Sequence, residues 1–227
     1  MKRGKLFFRM QAKFRNKRFE IFDRLLREIL KTQTEVTILD TGGRPDYWEK
    51  LASDLRPKVK VTCINFQGEL DEYPKVSEDL NVVSVVGDAC EMPEYSNKFF
   101  DVVHSNSVIE HVGSYKNMER FAKEARRIGV TYYIQTPNFW FPIEPHYGVP
   151  FFHWLPDTWR IWLFTNFHVG YAHKCSFENA LIRVDHTRII SKSMMRNLFP
   201  EAEIKIERFF GFPKSIIAIS ATKVRPH

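Results

Sequence analysis

Apolar and polar positions along the chain divide it into an amphipathic helix, a series of short strands and a terminal hairpin. Residues 14–31 place Phe19, Phe22, Leu25, Leu26, Ile29 and Leu30 at i, i+3, i+4 spacing, the pattern of a helix with one buried stripe. Lys13, Arg15, Lys17, Arg18, Arg24 and Arg27 occupy the other face and the preceding segment. They form a solvated basic face or a surface for phosphates and acidic lipid. The pattern then changes to apolar, β-branched runs at 36–39, 59–64, 82–86, 99–104 and 131–135. Their spacing of roughly 20 to 30 residues is the rhythm of βαβ units, and so of a parallel sheet covered by helices. Between the fourth and fifth runs, Met118, Phe121, Ala122 and Ala125 share one stripe of a crossover helix over Tyr115 to Arg127. At the end, strands over 202–210 and 215–220 are joined by Gly211-Phe212-Pro213-Lys214. So short a link makes them antiparallel neighbours, because a parallel return needs about a dozen residues. The fold class is α/β, with a seven-stranded, mostly parallel sheet ending in an antiparallel hairpin.

Composition narrows this picture. At 227 residues, the chain suits one domain with embellishments. We expect a single domain over 1–227, with a basic helical arm at 1–33 and an aromatic insertion at 137–180. A hydrophobic share of 44% and a charged share of 27% exclude a disordered or collagenous chain. No apolar run approaches the roughly 20 residues that cross a bilayer. The basic start has only a three-residue apolar patch before Arg9, too short for a secretory signal, so the expected location is cytoplasmic. A net charge of +7 favours anionic partners without choosing among nucleic acid, phosphorylated substrates and an acidic membrane surface. Cys63, Cys90 and Cys175 are odd in number and far apart, so neither a disulfide framework nor a structural zinc site is indicated. Nor are the eight histidines spaced, relative to carboxylates, in a way that suggests a metal site.

In an open parallel sheet, ligands bind outside the carboxyl ends of the strands. The first strand ends in Asp40-Thr41-Gly42-Gly43-Arg44-Pro45. Its glycines allow a tight turn and close backbone approach, and a following helix would present a positive N-terminus. Asn65 follows the second strand, 25 residues beyond Asp40, where dinucleotide folds place the group that holds ribose hydroxyls. Gly87-Asp88-Ala89-Cys90 follows the third and Ser105-Asn106-Ser107 the fourth. Each segment alone reads as a turn. One such element after each of four successive strands points to a nucleoside-type ligand lying across the sheet. The absence of G-x-x-x-x-G-K-[ST] argues against an NTPase, and the absence of G-x-G-x-x-G against NAD or FAD.

Ile38 to Gly43, Val86 to Pro93 and Phe100 to Val112 resemble the ordered motifs of class I S-adenosylmethionine-dependent methyltransferases of the type 11 group. The likeness runs over roughly residues 36 to 220. It implies a Rossmann-like three-layer sandwich, with the terminal hairpin as a hallmark of the sheet. The Gly-Gly-Arg-Pro-Asp-Tyr-Trp loop, Asn65 and Gln135 to His146 are similar to a bacterial subgroup linked to surface-polysaccharide or lipid modification. The resemblance implies that Asp40, Gly42 and Gly43 hold the methionine end of the cofactor. It implies that Asn65 takes the ribose hydroxyls, Asp88 and the Ala89 backbone N–H the adenine, and Ser105 and Asn106 the methyl-donor side. Two departures stand out: the third glycine of G-x-G-x-G is missing, and Asn65 replaces an acidic residue. A neutral amide binds hydroxyls less strongly than a carboxylate does.

Methyl transfer to a hydroxyl needs an aligned acceptor and a base near neutral pKa, which puts histidines first. His111 follows the fourth strand, while Glu144 and His146 occupy a Pro-bracketed segment after the fifth. These three are the candidate catalytic residues. The insertion, rich in Phe and Trp, reads as a cap with its own core, or as a lid for an apolar, sugar or lipid-linked acceptor that rests on a membrane interface. The expected function is methylation of an oxygen on a small, glycosyl or lipid-linked acceptor. An RNA acceptor and a non-catalytic scaffold are the rivals. Contact with the inner face of a membrane stays open.

Overall fold

The computed structural model describes residues 5–68, 74 and 76–220, with side chains from residue 14 onward. The elements follow the order α1 (Lys5–Ile29), β1 (Val36–Thr41), β2 (Val59–Asn65), β3 (Asn81–Val86), β4 (Phe100–Asn106), α2 (Tyr115–Ile128) and β5 (Gly129–Pro137). Then come β6 (Ile143–Glu144), β7 (Val149–Pro150), α3 (Asp157–Asn166), α4 (Phe177–Asp185), α5 (Lys192–Leu198), β8 (Glu203–Phe209) and β9 (Phe212–Ile219). A seven-stranded sheet runs β3-β2-β1-β4-β5-β9-β8. Its β1–β2 and β2–β3 pairs are parallel and its β8–β9 pair antiparallel. All seven strands lie where the apolar runs predict them. The hairpin turn is tighter than the sequence suggests, because Phe210 and Gly211 both take left-handed φ, 47° and 83°. Two such residues match the twist of the flanking strands, which releases Phe212, Pro213 and Lys214 into β9.

The chain groups into two compact units. The first holds residues up to His104 together with Ala125–Tyr133; the second holds Ser105–Glu124 and Ile134–Ser220. In the first unit, α1 buries Phe19, Phe22, Leu25, Leu26 and Ile29 while Arg24 and Arg27 stay exposed. The Phe22 ring packs edge-on against Trp48 at 5.8 Å and Tyr133 at 5.3 Å. The arm is therefore anchored through its apolar stripe. The expected helix after the Gly-Gly loop is not formed. Pro45–Lys50 makes a six-residue 3-10 turn, and a second turn follows at Arg56–Lys58. Pro45 starts the first turn, and Leu51 in extended conformation ends it once Trp48 has reached the core. So short a turn offers little of the dipole expected at a helix N-terminus.

In the second unit, the aromatic insertion has a core of its own. Phe152, Phe164, Val169, Ala180 and Val184 are buried together, with Tyr147, Leu155 and Ile161 packed against them. Trp140, Phe151, Trp154, Trp159, Trp162 and Phe167 remain exposed. The segment thus combines a small buried cluster with an aromatic surface. No described helix is long and apolar enough to cross a membrane.

Candidate functional site

The β1 turn is built around Asp40. Its side chain is 2% exposed, with Oδ2 accepting from the Trp48 indole N–H at 2.9 Å and Oδ1 paired with His104 Nδ1 at 2.6 Å. Gly42 takes a left-handed φ of 64°. A Cβ on Gly43 would lie 1.9 Å from the Asp40 carboxylate, so both glycines are required by the turn itself. The Asp40 oxygens thus serve the interior, whereas the resemblance gives them to a cofactor ammonium. His104, which the sequence reading missed, is sealed among aromatic rings. It stacks on Tyr133 at 5.7 Å and on Tyr47 at 5.5 Å, and meets Phe22 at 4.8 Å.

Asn65 closes β2 and is buried. Its Nδ2 donates to the Gly43 carbonyl at 2.8 Å, fixing the glycine turn. Its Oδ1 has no hydrogen-bond partner among the described residues. A buried acceptor without a donor is costly, and a ribose hydroxyl is a donor of the right kind. The ribose end of an S-adenosylmethionine molecule therefore fits the residues present. Asp88 lies beyond β3, where its Oδ1 accepts from the Cys90 N–H at 2.8 Å and its carbonyl accepts from the Glu91 N–H at 2.9 Å. This turn presents Asp88 and Ala89, both half-buried.

In the second unit, Ser105 and Asn106 end β4. Ser105 is buried, and its Oγ is a further polar atom without a partner among the described residues. Ser107 then takes a left-handed φ of 62°. Its N–H and hydroxyl hold it to Gln135, donating to the carbonyl at 2.9 Å and to the side-chain oxygen at 3.1 Å. This reversal leads into the 3-10 turn Ile109–His111.

Glu110, His111 and His146 converge at that turn, each contributing one donor atom, and the three atoms lie within 4.8 Å of one another. Glu144 is 2% exposed. Its Oε1 accepts from His146 Nδ1 at 2.5 Å and its Oε2 from the Tyr147 N–H at 2.6 Å. Burial disfavours the charged form of His146. The hydrogen bond and charge of Glu144, with the charge of Glu110, outweigh burial and lift the ring above its ordinary pKa. The sequence therefore identifies His111, Glu144 and His146, and the fold brings them together, with Glu144 orienting His146. Glu110 was missed, as was the grouping itself, since the spacing of the histidines along the chain gives no sign of it. The available signal was an ionisable residue inside the apolar run Val108-Ile109-Glu110-His111-Val112. Nearby, a cavity of about 180 Å³ is lined by Met118, Phe139, His153, Arg160, Arg188 and Ile190 among others.

A family model described as a methyltransferase domain matches residues 41–129. Two uncharacterized proteins, from two strains of Mycobacterium tuberculosis, are 35% identical over 66 residues, covering 29% of this chain. That match spans only 22% of their length. Among solved structures, the PH0226 protein of Pyrococcus horikoshii aligns with a TM-score of 0.53 at 15% identity, over 88% of this chain and 89% of that one. A Rhodobacter sphaeroides chain named as a Zn-dependent alcohol dehydrogenase aligns at 0.53 and 14%, over 86% and 87%. At such identities the likeness is one of fold. The matched segment 41–129 contains every candidate cofactor residue except Asp40, and over that segment the chain is similar to the methyltransferase domain family.

Proposed function

We propose that the chain is an S-adenosylmethionine-dependent methyltransferase acting on an oxygen of a small, glycosyl or lipid-linked acceptor. The observation that carries this reading is the series Gly42–Gly43, Asn65, Asp88–Ala89 and Ser105–Asn106 at or just beyond the ends of β1, β2, β3 and β4. When bound, the cofactor supplies an electrophilic methyl group on a sulfonium. Asn65 Oδ1 accepts from a ribose hydroxyl, Asp88 and the Ala89 N–H hold the adenine, and Ser105 and Asn106 line the methyl-donor side. Asp40 acts as a positioning residue that shapes the glycine turn. On the acceptor side, Glu144 holds the Nδ1 proton of His146 and leaves the Nε2 lone pair for chemistry.

The 180 Å³ cavity is smaller than the roughly 300–1,000 Å³ of drug-sized sites and suits one ring or sugar unit. A lipid-linked acceptor is supported by the exposed aromatics Trp140, Phe151, Trp154, Trp159 and Trp162, which suit an interface. The engagement of both Asp40 oxygens favours one second reading, a non-catalytic binding protein on the same fold.

Calorimetric titration of the full chain with S-adenosylmethionine and S-adenosylhomocysteine tests the proposal. Saturable one-to-one binding is expected, weakened at least about tenfold in Asp88→Ala, the equivalent of about one lost hydrogen bond. No binding of either compound at millimolar concentration defeats it. Binding without turnover across small, glycosyl and lipid-linked hydroxyl acceptors supports the second reading.

A further inference from the structure

We propose that Glu110, His111 and His146 form a binding site for one divalent first-row transition ion of the zinc class. Two imidazoles and one carboxylate are a donor set suited to such ions and poorly suited to magnesium or calcium, which prefer oxygen. Three protein donors also leave a coordination position open, as in catalytic rather than structural sites.

Each ligand is held from behind in the way metal ligands usually are. His111 Nδ1 lies 2.6 Å from the His186 carbonyl. A carbonyl only accepts, so Nδ1 carries the proton and Nε2 the lone pair. His146 Nδ1 donates to Glu144 in the same sense, a carboxylate–histidine arrangement that fixes the tautomer and raises the basicity of Nε2. Glu110 Oε2 accepts from the Thr136 hydroxyl at 2.9 Å.

The second, independent observation is Glu110 Oε1. Glu110 is 0% exposed, and Oε1 is buried without a hydrogen-bond partner among the described residues. A buried carboxylate oxygen with no donor is costly, and a bound cation removes that cost. One donor atom from each of the three residues lies within 4.8 Å of the others. Metal–donor bonds of about 2.0–2.2 Å imply donor separations of about 3.3 Å, which small side-chain movements reach.

The ion deepens the acceptor-side reading. In a methyltransferase, the open position takes the acceptor oxygen and lowers the pKa of its hydroxyl; with the ion bound, His146 Nε2 serves as a ligand in place of a base, and the hydroxyl proton leaves to solvent. Ion binding itself stands whether or not the chain transfers methyl groups, so the two readings fail separately in the cofactor titration and the metal titration.

The test is a calorimetric titration of the metal-stripped full chain, free of affinity-tag histidines, with Zn(II), followed by Co(II) absorption. One Zn(II) per chain is expected, with Mg(II) and Ca(II) far weaker. Glu144→Gln lowers the affinity about 10- to 100-fold, and His111→Ala and His146→Ala lower it further. His173→Ala leaves it unchanged; this variant controls for the surface pair His168 and His173, whose Nδ1 atoms lie 3.2 Å apart. The proposal is overturned if no stoichiometric Zn(II) binds, if binding survives both His111→Ala and His146→Ala, or if it disappears with His173→Ala. Should the alanine variants fail to fold, the intact chain still decides. Intense Co(II) d–d bands without thiolate charge transfer support the site, and a thiolate band places the ion on a cysteine and overturns it.

Discussion

Each unit of the molecule contains a buried carboxylate paired with a histidine, and the two pairs have opposite surroundings. Asp40 and His104 in the first unit have side chains 2% and 1% exposed, enclosed by Phe22, Tyr47, Trp48 and Tyr133. Glu144 in the second unit is as buried, yet its partner His146 is 21% exposed and faces Glu110 and His111. The same two residue types therefore make a sealed internal brace in one place and a partly exposed pair in the other. What separates them is access to solvent, together with a second carboxylate and a second imidazole. A buried Asp–His pair is by itself no sign of catalysis.

The aromatic residues show the same contrast. In the first unit Phe19, Phe22, Trp48 and Tyr133 are interior, whereas in the second Trp140, Trp154, Trp159 and Trp162 stand at the surface. Phe22→Ala is expected to destabilise the protein by about 3–5 kcal/mol, the usual cost of emptying a large aromatic site. Trp162→Ala is expected to change stability by no more than about 0.5 kcal/mol. Urea unfolding of both variants measures the difference, and equal losses would erase the distinction drawn here.

Asp40→Asn sharpens the comparison of the two pairs. Losing a charged partner shared by His104 and Trp48 is expected to cost about 1.5–3 kcal/mol of stability, with S-adenosylmethionine affinity in the folded variant largely retained. A greater loss of affinity than of stability would return Asp40 to the cofactor.

The smallest effect concerns the cysteines. Burial, reinforced by the charge of Asp40, pushes the Cys63 thiol up, while Cys175 in the second unit is only partly buried. Thiolate is the reactive form, so iodoacetamide at pH 8 is expected to label Cys175 in the native chain and to spare Cys63 until unfolding. Mass spectrometry of the labelled peptides checks this.

The strands, the crossover helix and the stripe of α1 were legible because they rest on local periodicity, which each segment carries within itself. The antiparallel hairpin followed from link length alone. The turn residues Gly42, Gly43, Asn65 and Asp88 were legible as positions because sheet topology puts strand ends in one place. Their detailed partners were not. Trp48 turns inward to Asp40, and no pattern in Arg44-Pro45-Asp46-Tyr47-Trp48 announces that choice over the helix the sequence suggested.

The chain alone determined the α/β class, the order of its elements and the histidines worth watching. Only the tertiary structure brought Glu110 and His111 to His146, which lies 36 and 35 positions further along the chain, and set Glu144 behind one ring and the His186 carbonyl behind the other. The physical reason is that periodicity encodes which face of an element is buried, whereas a site requires atoms from different elements to meet. That meeting depends on turns such as the left-handed Ser107 and on the packing that closes around them.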